Sequence, residues 1–127
     1  MGVRINFNIE CNTSDEIVKH NLKKSEKYPR IKYVDPSQVL TRHPAAVVGG
    51  GPGVAYRLDF LREWKGDVYA VNDTAKYLSD NGIPNYLYSI DCSRFKYKIG
   101  PLTKGALLAS RCHRKQFAMF DKKDVRT

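Results

Sequence analysis

The stretch Ala45-Ala46-Val47-Val48-Gly49-Gly50-Gly51-Pro52-Gly53 sets a short apolar run against three glycines, a proline and a fourth glycine. Glycine lets a backbone turn sharply and lets a ligand approach it closely. Proline suits the first turn of a helix, where its missing N–H is no loss. A strand, a glycine turn and a helix start together present free backbone N–H groups to a phosphate or carboxylate. Gly49, Gly50, Gly51, Pro52 and Gly53 are therefore the first candidates for binding. Gly49 and Gly51 fit the first two positions of the dinucleotide pattern G-x-G-x-x-G, but Val54 stands at the third, so the pattern is not met. The bland alternative is a tight strand-to-helix turn that binds nothing, although three consecutive glycines exceed what such a turn needs.

Other residues with usable chemistry follow at the ends of later apolar runs. Asn72 and Asp73 come after Val68–Val71, Asp91 after Tyr86–Ile90, and Ser110, Cys112 and His113 after Leu107–Ala109. Asn72 lies about twenty residues beyond Gly51, where an acidic or amide group often meets a ribose hydroxyl. Asp91 and His113 are candidate general acid–base groups, and Asp91 is the candidate ligand for Mg or Mn between phosphates. Each has a plainer use. Asn72-Asp73 could cap the next helix, Asp91 could end its strand as a turn, and His113 could open a helix. Cys92, Cys112 and His113 are zinc-ligand types, but no C-x-x-C pair exists, which argues against zinc.

The elements that must position these residues are legible from periodicity. Val3, Ile5, Phe7 and Ile9 alternate with polar residues and predict a half-buried strand. Thr13 with Glu16 forms a capping-box pattern, predicting a surface helix to about Lys27 with Ile17 and Leu22 on its thin apolar face. Residues 30–44 read as a connector. Ala45–Val48 predicts a buried strand, and Val54, Leu58 and Leu61 share one face of a helix running to about Trp64. Asp67–Val71 predicts a strand, Thr74–Asn81 a short helix closed by Gly82, and Tyr86–Ile90 another strand. Residues 92–105 read as a basic loop, Leu107–Ala109 as a strand, and His113–Phe120 as a last helix with Phe117 and Phe120 facing inward. Strands alternating with helices imply βαβ units: an α/β, Rossmann-like, three-layer domain with a mainly parallel sheet of about four to five strands. Residues 1–44 would be an N-terminal strand, helix and connector, and 45–127 the nucleotide-binding core. Ligands of such sheets lie outside the carboxyl ends of the strands, near the point where strand order reverses.

Composition narrows the function classes. With 127 residues, 42% apolar and 28% charged, the chain has the profile of one soluble domain with a real core. It has no apolar stretch long enough to span a bilayer and no secretory pattern, so no membrane partner is expected. Three widely spaced cysteines argue for a reducing, cytoplasmic setting. The formal charge of +9 favours an anionic partner: nucleotide, nucleic acid or another acidic surface. Its densest basic stretches are Lys19–Lys32, Arg94–Lys104 and Arg111–Lys123, none with the aromatic and glycine pattern of an RNA-binding strand.

Val47-Val48-Gly49-Gly50-Gly51-Pro52, Ala70-Val71-Asn72, Gly82-Ile83-Pro84-Asn85-Tyr86 and Ser89-Ile90-Asp91, in that order, resemble the MptE-like family. That family covers archaeal 6-hydroxymethyl-dihydropterin diphosphokinases, bacterial motility accessory factors associated with flagellin glycosylation, and many uncharacterised phage proteins. The phage branch is the most similar, through Ser14-Asp15-Glu16 and Leu108-Ala109-Ser110-Arg111-Cys112-His113. The resemblance covers about residues 13–121. The glycine turn is also similar to the Gly-x-Gly-Pro-Ser turn of a sialyltransferase family that binds a cytidine monophosphate sugar. Carried over, the resemblance implies that Gly49, Gly51 and Pro52 cradle phosphate, that Asn72 lies near the nucleoside, and that Asp91 lies near phosphate or metal. Relatives usually have Ser where this chain has Gly53, so a hydroxyl that could touch phosphate is missing. They also usually continue well past Thr127, so the resemblance implies a naturally short form, a domain fragment or a protein that completes its sheet by association, an open sheet edge inviting pairing.

The expected function is binding of a nucleotide or nucleotide-sugar phosphate at the glycine turn, with diphosphoryl or glycosyl transfer as the implied activity. The alternative is a non-enzymatic phage binding or structural protein with an acidic or nucleic-acid partner. A third is an S-adenosylmethionine-binding protein, since glycine turns of this kind also serve methyltransferases.

Overall fold

The computed structural model describes residues 14–26, 31–32, 43–94, 97–120 and 124–126. In chain order the elements are α1 (Asp15–Glu26), β1 (Ile31–Lys32), β2 (Ala45–Val48), a 3₁₀ helix (Pro52–Arg57) running into α2 (Leu58–Glu63), β3 (Asp67–Val71), α3 (Thr74–Asp80), β4 (Asn85–Ser89), β5 (Thr103–Leu108), α4 (Arg114–Ala118) and β6 (Asp124–Arg126). The strands make one sheet in the order β1-β6-β5-β4-β3-β2, with every pair parallel. This is the α/β, Rossmann-like arrangement that the alternation implies, a parallel sheet flanked by helices and consistent with a three-layer domain. The expected strand over residues 3–9, Thr13 of the expected capping box, and most of the connector lie outside the described residues.

The pleat decides where the core sits. Val48 pairs with Ala70, Ala70 with Leu87 and Leu87 with Ala106, so these side chains share one face. That face, with Leu108, packs on Leu61 of α2, Ala75 and Leu78 of α3, and Phe117 and Phe120 at α4, in one continuous cluster. Phe117 and Phe120 are fully buried, as their spacing predicts. On the other face Val47, Tyr69 and Tyr86 are in register, and the two tyrosine rings stack at 5.5 Å.

Three expectations need correction. First, Ala45–Val48 is not a buried central strand: β2 ends the sheet order, its residues alternate between exposed and half-buried, and Val47 is 67% exposed. Small apolar residues without polar alternation look the same in a sequence whether a neighbour covers them or not. Second, the helix expected from about Gly53 to Trp64 is split. Pro52 and Gly53 start a tight 3₁₀ turn in which Val54 N donates to Gly51 O (3.2 Å), and α geometry begins only at Leu58. Val54, Leu58 and Leu61 still line the inner side. Third, the strand read as Leu107–Ala109 begins at Thr103. Its polar start was hidden because the buried Thr103 Oγ1 donates to Asn85 Oδ1 (3.2 Å). Asn85 Nδ2 in turn donates to Ala75 O (3.1 Å) and Ile83 O (3.0 Å). A buried amide and hydroxyl are admissible when so paired.

α1 is also seated differently. Ile17 and Leu22 are exposed at 38% and 37%, whereas Asn21 is buried. Its Nδ2 donates to Cys92 O (3.2 Å) and Arg111 O (3.0 Å), fastening the helix across the segments that follow β4 and β5. Ser14 Oγ accepts from Ile17 N (3.4 Å) at the start of α1.

Candidate functional site at the carboxyl edge of the sheet

Because all strands are parallel, their carboxyl ends form one edge, and the candidate residues lie along it in strand order. The glycine turn follows β2, Asn72 and Asp73 follow β3, Asp91 follows β4, and Ser110 to His113 follow β5. Neighbouring strands lie about 4.8 Å apart, so the row from the turn to the end of β5 spans roughly 14 Å. The expected reversal of strand order beside the turn is not there: β2 is terminal, and β3 to β6 add on one side only. The glycine turn therefore stands at a sheet edge and not in a switch-point crevice.

The turn itself is exposed from Gly49 to Gly53. A Cβ built on Gly49, Gly51 or Gly53 meets nothing within 4 Å, and none of the three has a left-handed φ. Gly51 is plainly extended, at φ −69° and ψ 162°. Neither backbone strain nor packing within the described residues demands glycine at these positions. Gly50 differs, because its Cβ would lie 3.0 Å from the buried Thr74 Oγ1. Gly49, Gly51 and Gly53 line a hollow of about 510 Å³ with Arg57, Phe60 and the inner edge of β2. Gly50, Pro52, Asp73, Thr74 and Tyr77 line a second hollow of about 420 Å³ on the other side. Arg57, Phe60 and Thr74 were not singled out by sequence reasoning. Their relation to the turn depends on the 3₁₀ geometry and on the β2–β3 register.

Asn72 and Asp73 cap nothing with their side chains. Asn72 takes a left-handed φ of 54°, and its carbonyl accepts from Ala75 N (3.2 Å). Asn tolerates that region better than most residues. Asp73 Oδ1 accepts from Lys98 N (2.7 Å), tying the β4–β5 connection back to α3.

Asp91 is held by its own loop. Its Oδ1 accepts from Ser93 N (2.8 Å), and its Oδ2 accepts from Ser93 Oγ (3.3 Å) and from the Tyr97 hydroxyl. Partial burial works to raise the Asp91 pKa, but these bonds and the charge of Arg111 outweigh it and hold it below 3.8. Tyr97 moves the other way: burial first, then its bond to Asp91, push the phenol up to about 12. A carboxylate offers about four acceptor sites. Three are used here, so Asp91 can give a cation about one. Among the described residues no group of three or more His, Cys, Asp or Glu could hold a metal ion.

Ser110 is half-buried after β5, and Cys112 is fully buried. The Cys112 thiol donates to Ser89 O (3.4 Å), and burial pushes its pKa up to about 12, so it is a core group and not a ready metal ligand. His113 caps α4: its Nδ1 accepts from Lys115 N (3.2 Å). Burial lowers its pKa below 6.5, helped by the charges of Lys115, Arg114, Arg94 and His20. A capping Nδ1 carries no proton, so the neutral ring presents an Nε2–H donor.

Fold and edge together define a parallel α/β domain with ligand-type groups along its strand ends. Compared with known proteins, the chain matches no family model, no curated protein and no solved structure. Among the described residues no helix is long and apolar enough to cross a membrane.

Proposed function

We propose that this chain binds a nucleotide or nucleotide sugar at the Gly49–Gly53 turn, as its resemblance to the MptE-like family implies. The observation that carries the reading is that Gly49, Gly51 and Gly53 border one hollow yet are required by neither backbone strain nor packing among the described residues. A ligand pressed against the backbone there would give the missing Cβ atoms a purpose. Arg57 supplies a phosphate-pairing cation, and Phe60, 58% exposed, supplies a flat apolar wall for a base.

Binding without turnover is favoured over diphosphoryl or glycosyl transfer. Asp91 is engaged by Tyr97 and Ser93, two strands away from the turn, and His113 is a neutral cap three strands away. Transfer with Mg or Mn would rest on the ligand's own phosphates plus the one remaining acceptor site of Asp91.

The test is thermal shift with CTP, CMP, ATP, GTP and S-adenosylmethionine, with and without magnesium or manganese, on the native chain and Gly51→Val. Stabilisation by a nucleotide that is abolished in Gly51→Val, with the unliganded midpoint unchanged, supports the reading. No shift with any nucleotide, or a shift that survives the substitution, refutes it. A shift with S-adenosylmethionine alone would move the assignment to that cofactor.

A further inference from the structure

A third hollow opens at the opposite end of the same edge, between α1 and the start of α4. It measures about 570 Å³, and its walls come from three separate parts of the chain. α1 contributes His20 and Lys24, the segment after β4 contributes Arg94, and the start of α4 contributes His113, Arg114 and Lys115. Among the described residues the one acidic member of the lining is Glu16. Four full cations against one carboxylate leave a local formal charge of +3 with both histidines neutral. None of Lys24, Arg94, Arg114 and Lys115 has an ion-pair partner among the described residues.

Gathering like charges in one hollow is unfavourable unless an anion offsets them. The hollow is nonetheless actively built. Asn21 is buried and bonded to Cys92 O and Arg111 O, which lie two residues before Arg94 and His113. That clamp brings α1 against both segments. The His113 cap leaves its Nε2–H as a neutral donor, so the ring can bond an anion without first taking up a proton.

We propose that the cleft between α1 and α4 is a binding site for a dianionic phosphate group, either inorganic phosphate or the terminal phosphate of a small phosphomonoester. A local +3 charge suits a dianion better than a singly charged phosphodiester. Among the described residues the lining contains no Phe, Tyr or Trp, and these residues offer no platform on which the bases of a single strand could stack. Walls on three sides suit a compact group. The site is separate from the glycine turn and stands or falls independently of it.

The experiment is calorimetric titration of the full-length chain at fixed ionic strength with inorganic phosphate, glycerol phosphate, sulfate and a short single-stranded oligonucleotide. Sulfate, a tetrahedral dianion like phosphate, is expected to bind comparably, and inorganic phosphate or its monoester to bind at least tenfold more tightly than the chloride that sets the ionic strength. The tighter of the two identifies a free-ion or an ester site. Arg94→Gln should weaken binding at least tenfold without lowering the unliganded thermal midpoint, since it removes a repelled charge. Lys104→Gln, an equal charge change at the exposed residue of β5, should leave the affinity unchanged. On phosphate binding, the NMR titration of His113 should shift to higher pH, because the dianion offsets the cations that line the hollow with it: Lys24 from α1, Arg94 from the loop, and Arg114 and Lys115 from its own helix. His20 and Glu16 of α1 are the other titratable groups of the lining. No binding of inorganic phosphate or glycerol phosphate, or an equal loss in Lys104→Gln, would each overturn the proposal. Tighter binding of the oligonucleotide through Arg94 would reassign the cleft to nucleic acid.

Discussion

The glycine turn separates two kinds of glycine that a sequence cannot tell apart. Gly50 is required by its neighbour, since a Cβ would press on Thr74 Oγ1 at 3.0 Å. Gly51 has open space and an extended backbone. Gly50→Ala should therefore cost about 1 kcal/mol through crowding. Gly51→Ala should be neutral or gain up to about 1 kcal/mol, by restricting the unfolded chain. Urea denaturation of the pair checks this, and equal losses would mean that the turn is strained after all. The positions of Asp91 and Asn72 at strand ends were legible because strand ends follow from periodicity. The engagement of Asp91 was not, because Tyr97 reaches it through a loop without period. That pair predicts a measurable coupling. Asp91→Asn removes the carboxylate that helps hold the Tyr97 phenol at about 12, so its titration should fall toward the ordinary ~10 without reaching it, burial being the larger cause. Tyrosine-selective carbon NMR between pH 9 and 13, a window set by that shift, would show it (the range is about one unit beyond each value). An unchanged titration would deny the bond.

α1 shows how element-level reading can find a helix and mistake its inner face. The helix was legible, whereas Thr13 of the expected cap lies outside the described residues and the hydroxyl that bonds the first turn is that of Ser14. Ile17 and Leu22 mainly made up the apolar face that the sequence offered, yet both are more than a third exposed, and the buried residue of the helix is Asn21, whose amide bonds the segments after β4 and β5. Nothing local marks a buried asparagine, since its partners are carbonyls 71 and 90 residues away. Asn21→Leu keeps the γ-branched shape of the side chain, adds some volume and strands both carbonyls. Each unpaired buried group costs about 1–3 kcal/mol, so a loss of about 2 kcal/mol or more is expected. Amide exchange in α1 should quicken by a larger factor than in α3. A loss confined to global unfolding, with α1 still protected, would mean that the helix docks without the clamp. The close approaches at Gly66 and Gly100 are comparable. A Cβ would lie 1.9 Å from Pro44 O at the first and 2.2 Å from Ser79 Oγ at the second. Gly66 faces backbone, and a Cβ on Gly100 would meet Ser79 Cβ at 2.4 Å as well as the hydroxyl, so neither clash is relieved by turning a side chain. Gly66→Ala and Gly100→Ala are both expected to lower stability in urea denaturation, by about 1–3 kcal/mol or more.

Across the whole molecule, the parallel α/β class was legible because apolar runs alternate with helical periods, and that pattern survives any strand order. The order itself was not, because β2 reads as buried whether it sits at the centre or at the edge. The consequence is electrostatic as well as topological. A sheet that adds strands in one direction spreads its ligand-type groups along a line, so a nucleotide-sized hollow forms at the β2 end and a cationic one at the β5 end. A chain of formal charge +9 that gathers cations around His113 should be sensitive to acid. The folded state lowers the pKa of His113 below 6.5, first by burial and then by the surrounding cations. The unfolded chain therefore binds more protons in that window, and stability must fall as pH drops below 6.5 through the folded value. Asp91, held below 3.8, adds a second loss of the same sign at lower pH. His113→Asn keeps an N-cap but removes the titrating ring. It should flatten the fall in thermal midpoint between pH 7 and pH 5 while leaving the pH 7 value nearly unchanged (a window from about half a unit above to about one and a half units below the ordinary histidine value). Adding phosphate to the native chain should flatten the same slope, because a bound dianion makes protonation of His113 easier. A slope unchanged by both would place the acid sensitivity elsewhere in the chain and remove the electrostatic account of the α1–α4 cleft.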